Sequence, residues 1–149
     1  MSFSEAGDPA PWENSLQELK GLRILLVEDM PDSQAAISRF LEKRGAQVAF
    51  ADNGQQGVEK ARSLPFDAVL MDIQMPVMNG YEATKILRDG GFRKPIIALT
   101  AHGLTESRGT CLKYGCNDFL TKPVDINELV PKILEAIRAE RSPRTETLL

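Results

Sequence analysis

Five times along the 149-residue chain a short, densely apolar run gives way to a segment of helical periodicity, and this alternation leaves few architectures open. Leu22 to Val27, Gln47 to Ala51, Ala68 to Met71, Ile96 to Leu99 and Asp118 to Leu120 have the length and composition of strands. Pro31 to Arg44, Gly54 to Leu64, Tyr81 to Arg88, Thr105 to Tyr114 and a closing segment read as helices. The first of these carries Ile37, Phe40 and Leu41 at helical spacing and stops at Gly45, while the second turns Val58 and Ala61 inward. The fourth is weak, because Gly109 in a helix interior costs about 1 kcal/mol and Gly103 precedes it. The last is the clearest, with Leu129, Val130, Ile133, Leu134 and Ile137 on one stripe. Strands without polar alternation are buried on both faces, and strands joined by crossover helices run parallel. The expectation is an α/β fold with a five-stranded, doubly wound parallel sheet, whose functional crevice lies beyond the C-terminal strand ends.

The length suits one domain with a real core and not two ordinary ones. Residues 1–20, with Gly7, Pro9 and Pro11 and a short helical turn at SLQELK, read as a linker or extension. Residues 21–140 read as the domain, and 141–149, with Pro143 and no apolar period, as a flexible tail. A net charge of −3 offers no surplus of cations for phosphates, so nucleic acid is not expected as a direct partner. The absence of an apolar run of membrane length and of a signal-type N-terminus points to a cytoplasmic chain without membrane contact. Cys111 and Cys116, a single C-x4-C pair, are read as reduced and largely buried rather than metal-binding or redox-active.

The strand ends carry the chemistry. Glu28 and Asp29 follow the first strand, Asp72 the third, Thr100 the fourth and Lys122 the fifth, so three carboxylates, a hydroxyl and an ammonium project from one edge. Taken singly, an acidic pair is as readily a helix cap, a lone Asp a turn residue, and Lys122 a solvated charge. Their coincidence at successive strand ends favours a site. Clustered carboxylates repel unless a cation joins them, and a hard divalent ion with oxygen ligands, Mg2+ above all, suits the set. A carboxylate can also attack phosphorus to give an aspartyl phosphate, and Asp72, alone at the end of a buried strand, is the best nucleophile. Lys122 and Thr100 would then contact phosphoryl oxygens.

These residues sit in ILLVED, VLMDIQMPVMNGYEA, PIIALTA and DFLTKP, four motifs in order between Leu19 and Arg138. Through them the chain resembles the receiver domain of response regulators, and most of all receivers attached to hybrid histidine kinases. The resemblance implies a flavodoxin-like (βα)5 sheet of order 2-1-3-4-5. It implies Asp72 as phosphoacceptor, Mg2+ held by Glu28, Asp29, Asp72 and the backbone carbonyl of Gln74, and Lys122 on the phosphoryl group with a cis bond to Pro123. Thr100 and Phe119 match the family's switch pair. The implied partners are a histidine kinase or a histidine phosphotransfer protein, and the chain is expected to be no enzyme beyond its own phosphorylation and dephosphorylation, with no output module after Arg138.

Departures are Met30 where Asn is common and Asn79 where Asp is usual. Gln74 and His102, flanking the acceptor and the threonine, could affect the access of hydrolytic water, although His102 is read first as a capping or solvent-facing residue. Two other functions fit the sequence less well. A haloacid-dehalogenase-like phosphatase needs a second acid two residues after the nucleophile, where this chain has Gln74. A phosphate-independent pseudo-receiver is disfavoured by the full set Glu28, Asp29, Asp72, Thr100 and Lys122.

Overall fold

In a computed structural model, which describes residues 17–101 and 104–141, five strands and five helices alternate without exception. They are β1 (Arg23–Val27), α1 (Pro31–Lys43), β2 (Gln47–Ala51), α2 (Gly54–Ser63), β3 (Ala68–Asp72), α3 (Gly80–Asp89), β4 (Ile96–Thr100), α4 (Leu104–Tyr114), β5 (Asp118–Thr121) and α5 (Ile126–Arg141). All strands pair in parallel, in the order β2-β1-β3-β4-β5. This is the doubly wound, flavodoxin-like arrangement expected, and its order reverses between β1 and β3.

Side-chain alternation sorts the core into two layers. Ile24, Leu26, Leu70 and Leu99 face α1 and α5, meeting Leu41 and Ile133. Leu25, Val27, Met71 and Ala98 face the helices α2, α3 and α4, meeting Val58 and Leu87. Every residue of β3 and β4 is buried, which explains why these strands read as unbroken apolar runs. Among the described residues no helix is long and apolar enough to cross a membrane.

Three local details differ from the sequence reading. Phe40, placed on the inner stripe of α1, is 45% exposed, because Ile37 and Leu41 already fill that helix's contact with the sheet. Residues 17–20 form a hydrogen-bonded turn, Lys20 N–H donating to Gln17 O at 3.1 Å, but they are not part of a free linker: Leu19 is fully buried and its N–H donates to Arg44 O at 2.8 Å, so packing reaches back that far. Strands β3, β4 and β5 each run one residue further than their apolar runs, since backbone pairing continues under polar side chains. Cys111 and Cys116 are free and buried, as read. The expected linker up to residue 16, His102, Gly103 and the tail from 142 lie outside the described residues.

Candidate functional site

Strand register builds the site. Val27 of β1 pairs with Met71 of β3, so the next residues, Glu28 and Asp72, emerge side by side. Asp72 pairs with Leu99, and Thr100 then closes β4 opposite Thr121 of β5, with Lys122 immediately beyond. The turn after β1 is held by the Glu28 N–H, which donates to Ala51 O at 3.0 Å. The cap of α1 is Met30, without a side-chain hydrogen bond, and Pro31 follows. Glu28 and Asp29 therefore do not serve as a helix cap, which leaves their carboxylates to the crevice.

Oxygens of Glu28, Asp29 and Asp72 lie within 4.8 Å of one another. Glu28 is fully buried, Asp72 is 1% exposed, and Asp29 is half-buried. The Lys122 ammonium stands 3.1 Å from Glu28 Oε1 and 3.1 Å from Asp72 Oδ2. Burial pushes the Glu28 carboxyl up; the Met30 N–H, at 3.1 Å from Oε2, opposes this, and the charge of Asp72 reinforces it. Burial pushes the Lys122 ammonium down, but Asp72 and Glu28 together outweigh it and the net shift is upward.

One ammonium among three carboxylates leaves the crevice net negative. Asp72 Oδ1 accepts the Gln74 N–H at 3.1 Å, and the buried Oδ2 faces the Lys122 ammonium, which it shares with Glu28 Oε1. That shared ammonium leaves part of the triad's charge uncompensated, and buried carboxylates close together are costly unless a further cation joins them. All-oxygen donors of this spacing fit a hard divalent ion of the Mg2+ type.

The remaining candidates surround this centre. Thr100 is 1% exposed, and the Lys122 N–H donates to its carbonyl at 2.7 Å. The Lys122–Pro123 peptide is cis. Phe119 is 8% exposed and packs in the same layer as Cys111 and Cys116. Gln74 is exposed at the crevice rim. Sequence reasoning missed two supports. Asn79 caps α3 in a reciprocal box, its Oδ1 accepting from Glu82 N at 2.9 Å and its N–H donating to Glu82 Oε1 at 3.0 Å; the spacing Asn79-x-x-Glu82 carries that signal. Gln34 bridges the ends of β1 and β2, and nothing in its spacing announces it.

Fold and site together define a class: a parallel sheet whose central strand ends in a buried, ion-paired aspartate within an acidic triad. Residues 24–134 match the response regulator receiver domain family, and the chain belongs to it. It is a receiver domain of two-component phosphorelay signalling. Histidine kinase 1 of Arabidopsis thaliana is 36% identical over 79% of this chain, which spans only 13% of that protein's length. The receiver domain of sensor histidine kinase PA1611 from Pseudomonas aeruginosa PAO1, solved with magnesium in its active-site cleft, is 43% identical with a TM-score of 0.72 over 78% of this chain and 98% of its own. A co-crystal of the Saccharomyces cerevisiae histidine phosphotransfer protein Ypd1 with the receiver domain of Ssk1 gives 33% identity and a TM-score of 0.76, covering 85% of this chain and 96% of that one.

Proposed function

We propose that Asp72 accepts a phosphoryl group from a phosphohistidine, with Mg2+ held by Glu28, Asp29, Asp72 and the Gln74 carbonyl. The observation that carries this reading is the Asp72 carboxylate: buried, 3.1 Å from the Lys122 ammonium, and within 4.8 Å of the Glu28 and Asp29 oxygens. A carboxylate oxygen of Asp72 attacks phosphorus; the O–P bond forms as the P–N bond breaks, and the electron pair stays on the donor imidazole. Mg2+, when bound, neutralises charge on the phosphoryl oxygens. Lys122 turns its ammonium to a second oxygen, and the Thr100 hydroxyl donates to a third.

Thr100 and Phe119 form the switch in this reading. Complete reversal of a two-state switch from 1:99 to 99:1 requires about 5.5 kcal/mol of differential interaction, and a relay works with less. A groove of about 480 Å3, lined by Ser33, Ala36 and Ile37 of α1 and by Pro123 and Val124, opens beside Glu28 and Lys122. It suits the helix of a histidine kinase or histidine phosphotransfer protein carrying the donor imidazole, in keeping with the Ypd1 complex of the similar structure. The likeness to sensor kinases supports a receiver that passes phosphate onward rather than an independent enzyme.

The test is phosphotransfer from acetyl phosphate and from phosphorylated histidine phosphotransfer proteins. One phosphoryl group per chain, dependent on Mg2+ and lost in Asp72→Ala, is expected. Catalytic turnover of a small phosphomonoester, or labelling that survives Asp72→Ala, refutes the reading.

A further inference from the structure

Gln34 stands in the first turns of α1, and its carboxamide is held between two acceptors. Its Nε2 donates to the backbone carbonyl of Glu28 and, at 2.9 Å, to Asp52 Oδ1 at the end of β2. Two acceptors facing one NH2 group fix the amide's sense, because a flipped amide would set its oxygen against a carbonyl and a carboxylate. The anchor is itself tied down, since the Asp52 N–H donates to Gln56 Oε1 at 2.9 Å in the first turn of α2.

With Gln34 included, Glu28 is held at every polar atom. Its N–H donates to Ala51 O, its Oε2 accepts from Met30 N, its Oε1 accepts from Lys122, and its carbonyl accepts from Gln34. That carbonyl belongs to the peptide joining Glu28 to Asp29. A planar peptide has no internal freedom, so the bond that fixes the direction of the Glu28 carbonyl also fixes the backbone from which the Asp29 carboxylate departs. Asp29 is the half-buried member of the acidic triad, and the packing that locks Glu28 and Asp72 constrains it less.

We propose that Gln34 is a positioning residue for the cation: its carboxamide holds the Glu28–Asp29 peptide in the orientation that aims Asp29 at the metal. This rests on the reading of the crevice as a divalent-cation site. Gln34→Met keeps the side chain's length and helix propensity and removes both donors. Asp52→Ala removes the outer acceptor and leaves the bond to the Glu28 carbonyl.

The measurements are Mg2+ binding by calorimetry, backbone amide shifts of the metal-free protein, and urea midpoints. Gln34→Met is expected to weaken Mg2+ binding five- to tenfold and to shift the Asp29 and Met30 amides, with Asp52→Ala staying within twofold of wild type. A lower urea midpoint for Gln34→Met with Mg2+ affinity within twofold of wild type would show a merely structural role and overturn the proposal. Equal weakening in both variants would overturn it too, because Asp52 rather than the carbonyl clamp would then be the carrier. Wild-type protein that binds no Mg2+ would sink the site reading together with this one, whereas failure of Gln34→Met alone leaves the site reading intact.

Discussion

Alanine at Gly80 tests how tightly α3 is seated on the acceptor strand. A Cβ there would stand 2.4 Å from the Asp72 carbonyl oxygen, 2.8 Å from Ile73 Cδ1 and 2.9 Å from Ile73 Cα, where ordinary contact begins near 3.4 Å. The Ile73 methyl can rotate away, but the two backbone atoms cannot, so the start of α3 has to retreat by about 1 Å, the difference between 3.4 and 2.4. Such a shift breaks the hydrogen bond from Gly80 N to Ile73 O, now 3.0 Å. Overpacking of this kind costs about 1–3 kcal/mol and the lost bond about 1 kcal/mol. The better helix propensity of alanine returns less than about 1 kcal/mol. The net expectation is a loss of about 2–3 kcal/mol, which lowers the urea midpoint by roughly 1–2 M. The segment forced outward, residues 73–79, includes the Gln74 carbonyl proposed as a metal ligand, so Mg2+ affinity should fall about tenfold as well, equivalent to about 1.4 kcal/mol. Gly109→Ala is the control: it lies inside α4, among the described residues nothing stands within 4 Å of its added Cβ, and alanine should stabilise by up to about 1 kcal/mol. Wild-type stability for Gly80→Ala would refute the packing argument, and lowered stability with unchanged Mg2+ affinity would refute its link to the site.

Three further outcomes are expected. Arg88 binds Gly115 O at 2.9 Å and Phe92 O, Lys94 O and Asn117 Oδ1 at 2.8 Å each, so Arg88→Met strands several acceptors and should cost about 3–4 kcal/mol in chemical denaturation, with Mg2+ affinity of the folded protein unchanged. Glu28 has a folded-state pKa raised by burial, so its contribution to stability is full below the unfolded carboxylate range and is lost as pH rises through the folded value. Between pH 3 and pH 7 the urea midpoint of the metal-free wild type should therefore fall relative to that of Glu28→Gln, whose amide does not ionise; a difference between the two that is the same at both pH values would contradict the assigned cause. Mg2+ at ten times its dissociation constant should stabilise wild type by about 1.4 kcal/mol and Glu28→Gln by less, as read from paired denaturation curves.

Why some of this architecture could be read from the residues and some could not comes down to the range of the forces involved. Apolar runs such as ILLV and AVLM can only be strands buried on both faces, and the chain's own order then places every strand end on one rim; Asp72 and Lys122 meet because parallel pairing leaves them no other edge. The outward turn of Phe40 was illegible, since helical spacing admits it to the inner stripe and only the actual surface of the sheet decides that Ile37 and Leu41 suffice. Arg88 and Gln34 were illegible for a different reason: their acceptors are main-chain carbonyls, which every residue possesses and no motif marks. The asymmetry has a consequence for the site. The charged groups that do the chemistry are announced by residue type, while the groups that aim them act through anonymous backbone atoms, so Met30 can stand where Asn is common without dismantling a turn whose carbonyl is clamped from Gln34 and whose carboxylate is held by the Met30 N–H itself, a bond that any residue but proline can make at that position.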